Sequence, residues 1–289
     1  MSRESQPSRP IRLVVSDIDG TLVNKAKVLS PRGKAAIEAL KERGVGFTVT
    51  SARPPVGLRH IIDLLGLEVP VAAVNGGALV NPDLTVIEAK LLAPSAARKA
   101  VELLRQQGID AWLFTADAWY IRDPQGAHVD HEAMTIQQPP RIVENFDAAL
   151  YDACLKVVGA SHDHPHLAEC EILLQRALGP DALATRSQVY YLDVTNPSAH
   201  KGEAVRSLSR VLGVPIDEVL SIGDGTNDIP MLEAAGFSVA MGNGSDAVKA
   251  AAHVVTDDCE HDGFAAAIER YVLGYTDRRP EPAIVIDET

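Results

Sequence analysis

Apolar residues fall into short β-branched runs that alternate with helical patterns. Residues 11–16 (IRLVVS) are nearly all apolar and end at Asp17-Ile18-Asp19-Gly20, which reads as a strand buried on both faces of a parallel sheet, with acids at its carboxyl edge. Residues 30–43 carry a Ser cap, Pro at the first helical position and apolar Ala36, Ile37 and Leu40 before Gly44, and so predict a helix. A strand over 45–50, a helix over 56–65 and a strand over 71–74 follow, the last running into Asn75-Gly76-Gly77. Short connections between alternating strands and helices predict an open α/β sheet.

The alternation resumes after residue 200, with helices over 202–212, 229–235, 246–252 and 264–273 and strands over 219–222, 237–240 and 253–256. Between the halves the texture changes. A helix over 95–107, an aromatic run over 112–120, an apolar run over 155–158, a helix over 167–178 and a short apolar stretch over 189–192 suggest an α+β insert. The reading is a doubly wound, mainly parallel core made of 1–82 and 195–289, split by a cap over 83–194, since loop ends that lie close together accept inserted domains readily. The polar stretch 1–10 and the charged, Pro-rich stretch 275–289 read as disordered tails.

Composition narrows the possible partners. The chain has 289 residues, 46% of them hydrophobic, and a net charge of -12, so its overall field repels polyanions and makes nucleic acid an unfavourable partner. A small anion is still admissible, because a local cluster of cations and backbone N–H groups outweighs the global field over a few ångströms. Three cysteines (Cys154, Cys170, Cys259) without C-x-x-C spacing suggest neither a disulfide framework nor a zinc knuckle, and fit a reducing cytoplasm. No apolar run reaches the length of a membrane span, and no obligate protein partner is evident.

In an open parallel sheet, ligands bind beyond the carboxyl ends of the strands, and four segments place polar groups there. Asp17-Ile18-Asp19-Gly20-Thr21 offers two carboxylates two residues apart. One can attack phosphorus without prior deprotonation, while the other moves protons. Gly223-Asp224-Gly225-Thr226-Asn227-Asp228 follows a predicted strand, and its acids would complete an oxygen-ligand site for Mg²⁺ with Asp17 and the Asp19 carbonyl. Thr50-Ser51-Ala52-Arg53 and Lys201 supply donors for phosphate oxygens: the Ser51 hydroxyl and N–H, and a mobile ammonium. Each segment alone also has an ordinary structural reading, as an Asx turn, a helix cap, a turn hydroxyl or a surface cation. The run His162-x-His164-x-His166 reads as a solvated turn, and Trp112, Phe114, Trp119 and Ile121 as sheet core.

Taken together, the four segments resemble the haloacid dehalogenase superfamily of phosphatases, specifically its Cof-type members with an α/β cap between the second and third motifs. The resemblance implies Asp17 as nucleophile and metal ligand, and Asp19 as general acid/base with its carbonyl on Mg²⁺. It implies Ser51, Ala52, Arg53 and Lys201 as phosphate holders and Asp224 as a metal ligand. Asn227 would approach the phosphoryl group, Asp228 would support the metal shell, and Asn75 and Gly76 would border the site. Ala52 stands where the family often has Gly. The expected activity is Mg²⁺-dependent hydrolysis of a small phosphorylated metabolite, a sugar phosphate first, through a phosphate transiently held on Asp17. A phosphomutase or phosphotransferase of the same superfamily uses the same motifs and stays open. A dinucleotide-binding oxidoreductase is disfavoured, because Asp228 stands where G-x-G-x-x-G needs its last glycine. A non-catalytic phosphate sensor would have no use for both Asp17 and Asp19.

Overall fold

The computed structural model describes residues 6–274. The chain opens with β1 (Leu13–Ser16), α1 (Pro31–Glu42), β2 (Gly46–Val49), α2 (Arg59–Leu65), β3 (Val71–Ala73), β4 (Ala78–Val80) and β5 (Val86–Ala89). It continues with α3 (Pro94–Gln106), β6 (Asp110–Phe114), β7 (Trp119–Ile121), α4 (Val129–Ile136), β8 (Arg141–Ile142), α5 (Ala148–Asp152), β9 (Lys156–Ala160), α6 (His164–Leu178), β10 (Leu183–Gln188) and β11 (Tyr191–Thr195). It closes with α7 (Lys201–Leu212), β12 (Val219–Gly223), α8 (Ile229–Ala234), β13 (Phe237–Ala240), α9 (Asp246–Ala251), β14 (Val254–Val255) and α10 (Gly263–Tyr271).

The central sheet runs β14-β13-β12-β1-β2, every pair parallel. Alternation along β1 shows why its sequence is apolar throughout. Val14 packs with Ile37 and Leu40 of α1 and with Phe264 and Ile268 of α10, while Leu13 and Val15 face the opposite layer with Val205 and Leu208 of α7 and Met231 of α8. A strand covered on both sides has no solvent face on which to place polar residues. This is the expected doubly wound core.

β3 departs from the expected parallel arrangement. It pairs antiparallel with β4, which pairs antiparallel with β5, and on the β2 side it forms a single bridge, Thr50–Ala72, in place of a ladder. The chain reverses because Val74, Asn75 and Gly76 all take positive φ (51°, 52° and 91°), a conformation that Asn and Gly tolerate and that ends a parallel crossover. β5 therefore joins β4 although it lies beyond residue 82.

The inserted segment forms a six-stranded mixed sheet, β10-β11-β9-β6-β7-β8. Leu113 and Val157 face α3 and α6, whereas Trp112, Phe114 and Trp119 form an aromatic layer under Ile136 of α4 and Tyr191 of β11. The alternation through 112–121 thus marks sheet core, as its spacing predicts. α6 starts three residues earlier than expected: Asp163 accepts from His166 N at 3.0 Å and Pro165 sits in the first turn, so His164 and His166 are helical rather than part of a loop. Two stretches side by side connect the insert to the core. Asn196 Nδ2 donates to Leu91 O at 2.9 Å, and Lys90 Nζ donates to Ser198 O at 3.1 Å. Of the tails read as disordered, residues 6–10 are described, with Arg9 paired to Asp217 at 3.2 Å. Residues 1–5 and 275–289 lie outside the described residues.

Candidate active site

β1 delivers Asp17 at its carboxyl end, where the Asp17 N–H donates to Ile222 O on β12 at 3.0 Å. The chain then doubles back, with Thr21 N and Val23 N both donating to Ile18 O. Gly20 permits this turn: its φ is 86°, and a Cβ there would lie 2.5 Å from Asp224 Oδ2. The same turn aims Thr21 Oγ1 at Asp224 Oδ1, 2.8 Å away.

Asp17 meets the second acidic segment through Lys201. This lysine is 1% exposed and donates to Asp17 Oδ1 and Asp228 Oδ1, both at 2.5 Å. Asp228 is fully buried, and its other oxygen accepts from the N–H groups of Asp224 and Gly225 at 2.9 and 2.8 Å. With both oxygens engaged, Asp228 orients the site and also starts the turn that leads into α8. Asp224 is fixed by Thr21 and by Asn243 Nδ2, which reaches both Asp224 Oδ2 and Gly20 O at 2.9 Å.

Ligand oxygens of Asp17, Asp224 and Asp228 lie within 4.8 Å of one another, and the Lys201 ammonium contacts two of them, Asp17 and Asp228. Burial, reinforced by Asp228 and Asp224, pushes the Asp17 carboxyl up to about 8 against the pull of Lys201. Asp224 is raised as well, by burial first and by Asp228. Lys201 is held well above the usual lysine range: burial opposes its charge, but contact with Asp17 and Asp228 prevails. Hard oxygen donors and an excess of negative charge make a fitting place for a small divalent cation.

Asp19 takes a different course. Its side chain turns away from the acidic cluster to Arg53 Nη2 at 2.9 Å and Lys27 Nζ at 2.7 Å. Burial alone would raise its pKa, but the charges of Arg53 and Lys27 outweigh it and keep the group below the ordinary carboxylate range. The N–H groups of Asp19 and Ala52 donate to no acceptor among the described residues. The Ser51 N–H, expected to face phosphate, donates instead to Ala72 O at 3.0 Å, because residue 51 still continues the β2 edge beside β3. The Ser51 hydroxyl accepts from Arg53 N at 3.2 Å, which leaves its own proton to donate.

A cleft of about 440 Å³ opens over these groups, lined by Asp17, Asp19, Ser51, Ala52, Arg53, Asp224, Asn227 and Asp228. Asn75 and Gly76 do not line it. Asn75 lies below, donating its N–H to Ser51 O at 2.8 Å and accepting from Asn227 Nδ2 at 3.2 Å. A Cβ on Gly76 would lie 2.9 Å from His200 O, so this residue seats the start of α7 rather than a substrate. Lys201 likewise works from beneath the cleft, through Asp17. The far wall comes from the insert, and includes His131, Glu132 and Ile136 of α4, Lys156 of β9, Gln188 of β10 and Tyr190. Glu132 is 7% exposed, and burial pushes its pKa up despite Lys156.

The sequence reading missed Lys27, Asn243 and this far wall. Lys27 lies in a turn with no motif around it. Asn243 carried a usable signal, since Gly242-Asn243-Gly244 follows β13 at the same carboxyl edge as the other segments.

A family model for haloacid dehalogenase-like hydrolases matches residues 14–268, and the chain belongs to that family. Within it, the chain is an enzyme of the phosphatase group. It is 28% identical over 272 residues to the pyridoxal phosphate phosphatase YbhA of Escherichia coli, covering 91% of this chain and 99% of that one. It is 26% identical over 264 residues to the 5-amino-6-(5-phospho-D-ribitylamino)uracil phosphatase YcsE of Bacillus subtilis, covering 91% and 96%. The crystal structure of a haloacid dehalogenase-like hydrolase from Bacteroides thetaiotaomicron superposes with a TM-score of 0.81 at 27% identity, over 90% of this chain and 99% of that one.

Proposed function

We propose that the protein is a Mg²⁺-dependent phosphomonoesterase that frees phosphate from a small metabolite by way of an acyl phosphate on Asp17, with residues 83–194 as its substrate-selecting cap on a core of 1–82 and 195–289. One observation carries this reading: a buried carboxylate at the end of β1, touched by a buried ammonium, with two further carboxylates within 4.8 Å. Asp17, Asp224, the Asp19 carbonyl and, through its support, Asp228 would hold the ion. When bound it supplies positive charge beside the transferring phosphoryl group.

The chain's own residues account for the rest. Asp17 presents an oxygen to phosphorus, its other contacts fixed by Lys201. Donors for the phosphoryl oxygens are the Ser51 hydroxyl, the free N–H groups of Ala52 and Asp19, and Asn227 Nδ2. An incoming dianion competes with Asp19 for Arg53 and Lys27, which loosens the grip that keeps Asp19 ionised. A proton on Asp19 then becomes available to the departing oxygen, and the resulting carboxylate takes a proton from water in the second half-reaction. The three cysteines are free, and no helix among the described residues is long and apolar enough to cross a membrane. Free thiols fit the proposed cytoplasmic setting.

Two related phosphatases with different named substrates match this chain about equally well. A panel of phosphorylated metabolites, sugar phosphates first, scored by released phosphate in H₂¹⁸O therefore tests the reading directly. Phosphate release with ¹⁸O uptake is expected. Transfer to a sugar hydroxyl without uptake would make the protein a phosphotransferase.

A further inference from the structure

Lys156 is an ammonium 5% exposed in the insert, with two long hydrogen bonds. One goes to Asp193 Oδ1 on β11 at 3.4 Å, and its Nζ lies 4.8 Å from the Phe114 ring centre. The other leaves the insert and reaches Ala52 O at 3.3 Å. Among the described residues, no other hydrogen bond joins 91–195 to the sequence segments at the floor of the cleft. A buried ion pair is seldom needed for stability, since apolar side chains of similar volume usually serve as well. What distinguishes Lys156 is the place it touches.

The Ala52–Arg53 peptide is held from both ends. Its carbonyl accepts from Lys156, and its N–H donates to Ser51 Oγ at 3.2 Å. That second bond fixes which way the Ser51 hydroxyl can donate, and the peptide also sets the root of the Arg53 side chain, which pairs with Asp19. Just beyond, α4 of the insert rests on the turn Pro55–Leu58 that follows this loop: a Cβ on Gly57 would lie 3.1 Å from Ile136 Cβ and Cγ2. The insert thus meets the phosphate-binding loop through a polar contact and the turn after it through an apolar one.

We infer that Lys156 is a positioning residue, which sets the Ala52–Arg53 peptide plane and thereby aims the Ser51 hydroxyl and Arg53 when the insert is seated. The inference rests on the phosphatase reading for its use, but not for its test. Inorganic phosphate binding by the full chain with Mg²⁺, followed by calorimetry, reports on the loop without turnover. Lys156→Met is expected to weaken it about tenfold, on the scale of one charge-assisted hydrogen bond. Lys156→Arg keeps charge and reach, and should stay within about threefold of the parent. Because Lys156→Met leaves Asp193 buried and unpaired, Lys156→Met/Asp193→Asn is measured alongside and should show the same loss with normal folding.

Unchanged phosphate affinity with a lowered melting temperature would reduce Lys156 to a structural ion pair and overturn the inference. Unchanged affinity with a raised KM for larger esters would make it a substrate contact and overturn it equally. A wild type that binds phosphate but hydrolyses no ester would sink the phosphatase reading and leave the positioning role standing, provided the Lys156 variants lose affinity as stated. A wild type that binds no phosphate would end both.

Discussion

Asp17, Ser51 and Asp224 reach the cleft from the carboxyl edge of a parallel sheet, whereas Glu132, Lys156 and Gln188 reach it from a helix and a mixed sheet of the insert. On the floor, charges are locked to one another: Lys201, Asp17 and Asp228 form one buried network, and Asp224 hangs from Thr21 and Asn243. On the wall, Glu132 is buried and His131 and Tyr190 meet edge to face. The wall has an ion pair of its own, Lys156 with Asp193, but a looser one, its hydrogen bond 3.4 Å long against 2.5 Å on the floor. A closed network tolerates no substitution, while a loosely joined wall can be rebuilt one side chain at a time. The difference fits a floor that performs one reaction and a wall that chooses what undergoes it.

That contrast can be broken at the floor first. Asp17→Asn should remove activity to background, a loss of roughly 10⁵-fold or more, and acid-quenched protein should carry no covalent phosphate. Excess chelator should have a comparable effect on the wild type. Trapped phosphate in the variant would move the nucleophile elsewhere. Asp19→Asn should slow both half-reactions by about 10² to 10⁴-fold while leaving Mg²⁺ affinity near normal.

Lys201→Met leaves two carboxylates buried without their ammonium, and should destabilise the metal-free protein by about 3–5 kcal/mol in chemical denaturation. Saturating Mg²⁺ should recover part of that. A variant as stable as the parent would mean that the network is slack.

The Asp17 carboxyl also has a stability signature with a definite sign. Its pKa rises from 3.8 to about 8 on folding, so between those values the native state holds a proton that the unfolded chain has given up. Stability from this group is therefore lost as pH rises through that window, and is flat outside it. The metal-free wild type should melt at steadily lower temperature from pH 4 to pH 8 compared with Asp17→Asn. Parallel curves would contradict the raised pKa assigned to Asp17. The smallest effect belongs to the wall. Glu132→Gln should shift the ranking of substrates by a few-fold in kcat/KM, with small aryl phosphates unaffected. Equal losses on every substrate would assign Glu132 to the scaffold.

Legibility in the sequence follows the same division. Strands such as β1 announce themselves because burial on both faces leaves an unbroken apolar run, and floor residues sit within a few positions of those runs. β3 misleads because its three apolar residues look like any core strand, and the reversal depends on backbone angles at Val74 that a β-branched residue does not advertise. α4 went unread because VDHEAMTI mixes polar and apolar residues over little more than two turns. Lys27 and Lys156 reach their partners across folded distance, 8 and 104 residues along the chain, and neither spacing leaves a periodic trace.

The paired threads at Leu91 and Asn196 set the terms on which the wall can travel. Two parallel strips tied by Asn196 to Leu91 and by Lys90 to Ser198 resist torsion far more than bending, as a strap hinge does. A swing of the insert, which the proposed cap role calls for, would thereby be confined to essentially one angular coordinate. Such a joint would search few wrong orientations on its way to contact, so little orientational entropy would be given up on each return of the wall to the floor.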